Sequence, residues 1–130
     1  MLTYMRYSFQ LSPYTTMRAI DGVSVTKAGR ISLPKFFLTT HGIRRGMKAY
    51  LYWDTETRAM AIEFTRQGDA TAFPIVFTQR YGAFIGARRF FQAHDLDVAA
   101  HVGRYPYGRE TGEAIGMPEA KSSLFVIRLR

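Results

Sequence analysis

The chain contains no cysteine. That removes disulfide frameworks, thiol nucleophiles and thiolate zinc sites together. Histidine is scarce: His41, His94 and His101 are the three present, so there is little material for an imidazole metal site. No apolar run approaches the roughly 18 residues of a membrane span, which argues against an integral membrane protein. Residues 1–11 lack a basic start followed by an apolar core, and Arg6 sits in their middle. The expected location is therefore the cytoplasm. Carboxylates are few as well. Ten Asp and Glu face eighteen Lys and Arg, a net charge of +8 on 130 residues.

What is present is ordinary in bulk and unusual in charge. Hydrophobic residues make up 47% and charged residues 22%, close to an average globular chain, which excludes wholesale disorder. The length fits one domain, or two very small ones fused. The basic side is lopsided, with fourteen Arg and only four Lys. Arg grips phosphate through a planar, bidentate fork, so an Arg-rich basic domain points to nucleic acid as partner.

Patterning along the chain predicts a mainly β protein of the α+β class. Tyr7, Phe9 and Leu11 alternate with polar residues, so residues 1–21 read as a docked strand or a loose arm. Val23 to Thr26 and Arg30 to Leu33 read as short strands around an Ala28-Gly29 turn. Pro34 suits a helix start, Phe36, Phe37, Thr40 and Ile43 recur at a helical period, and Gly42 suits a stop. Lys48 to Trp53 and Met60 to Phe64 complete a ββαββ unit. Phe73 to Thr78 and Ala83 to Ile85 read as strands, Ala87 to His94 as a helix. Val98 to Tyr105 and Leu124 to Leu129 read as strands, joined by an exposed loop over 106–123.

The second half echoes the first. A shift of 53 positions sets Lys27 on Arg80, Gly29 on Gly82, Lys35 on Arg88, Phe37 on Phe90 and His41 on His94. Ala83 then stands where Arg30 does, and Ala87 where Pro34 does. The expectation is a duplicated ββαββ chain: an arm at 1–21, a first repeat at 22–68 and a second at 69–130. A unit of about 50 residues buries too little surface alone, so the two should share one core.

Val25-Thr26-Lys27-Ala28-Gly29-Arg30-Ile31-Ser32-Leu33-Pro34, followed by Gly42-Ile43-Arg44-Arg45-Gly46, resembles the AbrB/MazE/SpoVT-like swapped-hairpin DNA-binding domains. The resemblance covers residues 23–64. It implies a swapped-hairpin, or cradle-loop, barrel in which the second repeat replaces the usual partner chain, giving a pseudo-dimer. It also implies double-stranded DNA binding, as a transcriptional regulator or an antitoxin-like partner. A structural or protein-interaction subunit of a larger assembly is the alternative.

The candidate nucleic-acid contacts are Lys27, Arg30 and Lys35 around one turn and helix entry, with Arg80, Arg88 and Arg89 matching them in the second repeat. Arg44 and Arg45 follow the first helix, where cations also complement its dipole. Residues 22–68 carry eight basic and three acidic residues against eight and six over 69–130, so the first repeat is the expected DNA face. Arg104, Tyr105, Tyr107 and Arg109 read as an exposed loop that stacks on unpaired bases or meets a protein partner. Phe36, Phe37, Phe90 and Phe91 read as core, and His41 and His94 as helix-end residues. Asp54, Glu56, Asp95 and Asp97 are accounted for by turns. Gly82 and Gly86 lack the Gly-Lys-Ser/Thr ending of a phosphate loop. No nucleophile is paired with a base, so neither an enzyme nor a cofactor, metal or small-molecule substrate is expected.

Overall fold

Short apolar-in, polar-out runs separated by tight turns leave this chain one economical option, a sheet that curls on itself. The computed structural model describes residues 22–120 and 122–130; the expected arm at 1–21 lies outside them. In chain order the elements are β1 (Gly22–Val25), β2 (Arg30–Leu33), α1 (Lys35–His41), β3 (Lys48–Asp54), β4 (Ala59–Thr65), β5 (Phe73–Phe77) and β6 (Ala83–Gly86). Then come α2 (Arg88–Ala93), β7 (Gly103–Pro106), β8 (Gly108–Glu110) and β9 (Leu124–Arg128).

These nine strands form one antiparallel sheet in the order β7-β1-β2-β6-β5-β3-β4-β9-β8. Its two ends, β7 and β8, are consecutive in the chain and separated by Tyr107 alone. β7 pairs with β1 and β8 with β9, so the sheet curls into a nearly closed barrel. The break has a local cause. Pro106 brings no N–H to a ladder, and the Tyr107 ring turns against Phe37, His41 and Phe125, with centroids 5.3 Å from each.

Period-2 alternation puts Val23, Val25, Ile31, Leu33, Ala83 and Ile85 inside. They join Phe37, Phe64, Phe91, Phe125 and Ile127 in one apolar cluster drawn from both halves of the chain. Burying each large side chain contributes about 2–3 kcal/mol. β4 is buried along almost its whole length, because Ile115, Met117 and Ser122 come up to its outer side. Ile115 and Met117 lie over Ala61. The Ser122 amide donates to the buried Glu63 carboxylate at 3.3 Å, as the Tyr52 hydroxyl does at 2.9 Å. Burial first, and that carboxylate second, push the Tyr52 phenol well above its usual range. α1 stops at Gly42, whose φ of 68° is left-handed and whose amide reaches the Leu38 carbonyl; glycine adopts this conformation without strain.

Four expectations need correction. The segment from Val98 to Tyr105 is not one strand: Val98–His101 is a 3-10 turn, and only Gly103–Pro106 is extended. Asp97 accepts from the Ala99 amide at 3.2 Å. That pulls the buried His101 inward, where its Nδ1 donates to the Arg130 carbonyl and Arg58 donates to its Nε2 at 3.3 Å. The 106–123 connection is more structured than an open loop, with β8 and a 3-10 turn at Glu113–Ile115. Phe36 is 51% exposed rather than core, because a seven-residue helix turns only one narrow face inward.

The fourth correction concerns the 53-residue offset. Over the helices, hydrogen bonds recur at 53: Leu38 N to Pro34 O and Phe91 N to Ala87 O, Ile43 N to Leu38 O and Leu96 N to Phe91 O. Over the turns the offset is 52: Thr26 N to Arg30 O matches Thr78 N to Gly82 O. The strand faces demand this. Ile31 points inward opposite Ile85, while Phe84, its mate at 53, lies opposite the half-exposed Ser32. In a strand, one residue of slip exchanges inside for outside. Gly82 therefore stands where Arg30 does, and Tyr81 where Gly29 does.

Candidate nucleic-acid interface

The β1–β2 turn is closed by the Thr26 amide donating to the Arg30 carbonyl at 2.9 Å. It also docks on the start of α2, where the Ala87 amide donates to the Gly29 carbonyl at 2.8 Å. That docking puts Arg88 beside the turn, with its guanidinium donating to the Ala28 carbonyl at 3.3 Å. The β5–β6 turn does the reciprocal thing. A Cβ built on Gly82 would run into the Leu33 carbonyl and lie 2.9 Å from Lys35 N. Each turn thus rests on the helix entry of the other half of the chain.

Between the turns lies the outer side of the β7-β1-β2-β6-β5 flank. Strand register aligns Arg104, Ser24, Ser32, Phe84 and Val76 in one row across it. At about 4.8 Å per strand this row spans about 19 Å. Arg30 leans over the row, its guanidinium carbon 4.0 Å from the Phe84 ring centre. A cation held on an aromatic face keeps its edge donors free for an anion.

The Arg30–Phe84 stack forms the ridge between two grooves. One, of about 420 Å³, runs from Thr26 and Lys27 past Ser32 to Thr78 and Tyr81. The other, of about 620 Å³, is lined by Arg88, Arg89, Thr71 and the Gly29 and Gly86 backbone. Among the described residues neither groove is lined by a carboxylate. Asp69, next to the second groove in sequence, is held by Thr71, whose Oγ1 and amide donate to it at 2.6 and 2.9 Å. Those bonds keep its carboxyl below the usual range.

The structure therefore brings Lys27, Arg30, Arg88 and Arg89 together, drawing on both halves rather than on the first alone. Lys35 and Arg80 lie at the opposite turn, and both are exposed. Arg44 and Arg45 are exposed on the α1–β3 connection, with Arg45 5.5 Å over the Phe77 ring. Arg109 sits on β8 over Phe125 at 5.5 Å, away from both grooves.

The expected stacking loop is overturned. Tyr105 is 1% exposed. It pairs with Val23 on the inner side of the barrel, and its hydroxyl donates to the His101 carbonyl at 2.7 Å. The Tyr107 ring is half-buried among Phe37, His41 and Phe125, and its hydroxyl meets His41 Nε2. Period-2 parity from Gly103 onward was the signal that could have turned Tyr105 inward. The most exposed of the described large hydrophobic residues is instead Tyr81, at 74%, to which the sequence analysis assigns no role. Its place one residue before a turn glycine and one after Arg80 was the available signal.

Among the described residues there is no group of three or more metal-ligating side chains, and no helix long and apolar enough to cross a membrane. Comparison with known proteins finds no family model, no curated protein and no solved structure that matches the chain.

Proposed function

We propose that this chain is a cytoplasmic double-stranded DNA-binding protein, acting as a transcriptional regulator, that grips backbone phosphates with its β7-β1-β2-β6-β5 flank. The observation that carries the reading is the cluster of Lys27, Arg30, Arg88 and Arg89 around two adjoining grooves that no carboxylate lines among the described residues. Four cations with no carboxylate lining their grooves among the described residues suit a regularly spaced polyanion, because each neutralised phosphate releases condensed counterions.

The swapped-hairpin pseudo-dimer belongs to the same proposal. In its support, the β1–β2 hairpin lies between β7 and β6, and the β5–β6 hairpin between β2 and β3. Each hairpin is thus flanked by strands of the other half. A two-fold axis through the Ser32–Phe84 pair would carry Ile31–Ile85 onto Leu33–Ala83, and both pairs occur in the register. In this reading the tandem repeat supplies within one chain the partner that a swapped hairpin needs.

The test is binding to a random-sequence duplex over a salt series. Replacing Lys27, Arg30, Arg88 and Arg89 by Ala is expected to flatten the slope of log affinity against log salt by about 3 to 4 units. The thermal midpoint should hold, because all four side chains are exposed. An unchanged slope and affinity in the folded variant overturns the proposal. Binding that never depends on salt favours a protein-interaction subunit instead.

A further inference from the structure

The smaller groove carries more than charge. Its cationic end is Lys27 and Arg30; its other end is Thr78 and Tyr81. Tyr81 is 74% exposed, yet its backbone is anchored: its amide donates to Thr78 Oγ1 at 3.1 Å, and that hydroxyl donates to the Gly82 carbonyl at 2.9 Å. The packing of Gly82 against Leu33 and Lys35 pins the turn from beneath. An aromatic ring is thus held open to solvent on a pinned turn, in the same groove as Phe84, which pairs with the 45% exposed Val76 of the outer row. The equivalent position in the other turn is Gly29, so the two ends of the groove differ: cations at one, an aromatic at the other.

Resting on the reading of the flank as a nucleic-acid surface, we infer that Tyr81 stacks on an unpaired base. The flank then prefers nucleic acid with a locally opened or bulged segment over a fully paired duplex. Charge complementarity argues for the occupant, since no carboxylate lines the groove among the described residues. An aromatic beside cations receives a base on its face and the adjoining phosphate on its flank. An intact duplex keeps its base faces stacked and offers Tyr81 only sugar edges. A strand already unpaired presents a bare face without the unstacking energy that a paired base demands.

The experiment uses the full chain and two probes, a random-sequence duplex and the same duplex with a central run of unpaired adenines. The wild-type chain should bind the bulged probe about tenfold more tightly, within the range that one base–aromatic stack provides. Tyr81→Ala and Tyr81→Leu should abolish that preference while holding paired-duplex affinity within about twofold, as expected for an uncharged side chain to which a paired duplex offers only sugar edges. Tyr81→Phe should retain the preference. Quenching of 2-aminopurine placed in the bulge should follow the same order, which a purely structural role for Tyr81 would not produce. Equal wild-type affinity for the two probes overturns this inference and leaves the duplex reading standing. Failure to bind either probe overturns both. If Tyr81→Leu keeps the preference, or poly-glutamate competes as well as the bulged probe, stacking is wrong and an acidic protein partner is the better occupant.

Discussion

The two flanks of the barrel are built from the same kind of strand and differ in what covers them. On the β3-β4-β9-β8 side, Ile115, Met117 and Ser122 return over the sheet, Glu63 is buried, and a groove is bordered by Asp54, Ile115 and Met117. On the β7-β1-β2-β6-β5 side the hairpin turns are short, nothing among the described residues crosses the outer row, and cations collect around it. A barrel needs its inner side packed; what lies on the outer side is decided by the length of the connections. Long connections cover the outer row of one face, and short ones leave that of the other open among the described residues.

That contrast can be broken first at the seam where the flanks meet. Tyr105→Ala removes a fully buried ring and the hydroxyl that holds the His101 carbonyl. It is expected to lower unfolding stability by about 4 kcal/mol, read by denaturant titration; a loss under about 1 kcal/mol would return Tyr105 to an exposed loop. Next comes the open flank's foundation. Gly82→Ala sets a Cβ against the Leu33 carbonyl at a φ of +106° and should lose about 3 kcal/mol. Gly86→Ala, with open space around its Cβ, should stay within about 0.5 kcal/mol.

Charge reversal then tests whether the flanks differ in partner. Arg30→Glu with Arg88→Glu should weaken duplex binding on the order of a hundredfold at low salt. The matched pair on the covered side, Arg109→Glu with Arg128→Glu, should change it far less. Equal losses from both pairs would mean that net charge alone attracts the duplex and that the grooves have no special part. The smallest effect belongs to Tyr107→Phe, which removes the hydroxyl that meets His41. It should lower stability by about 1 kcal/mol and leave duplex affinity unaltered.

Much of the strand order in sequence was legible because period-2 alternation and turn residues are local. Val23 to Val25, Arg30 to Leu33 and Lys48 to Asp54 declare themselves by their neighbours alone. The offset between the halves was misread by one residue over the turns, since two glycines, Gly29 and Gly82, invited alignment while the strand faces required Gly82 to match Arg30. Tyr105, flanked with Tyr107 by Arg104 and Arg109, reads as part of an exposed loop, yet the strand pairing with Val23 turns it inward. Of the candidate cations, the sequence could name every one; it could not say that Arg88 of the second half would stand beside Ala28 of the first.

The sequence by itself determined composition, charge and local conformation: an Arg-rich, cysteine-free, mainly β chain with two short helices. These follow from side-chain chemistry and from steric preferences that act within a few residues. Only the tertiary structure decided which cations share a groove, which aromatics are open to solvent and which strands end the nearly closed barrel. Those outcomes depend on pairings between residues some 50 to 100 positions apart, such as Val23 with Tyr105 and Ser32 with Phe84. Such pairings are selected by the burial of one common core, a property of the whole chain that no short stretch of it contains.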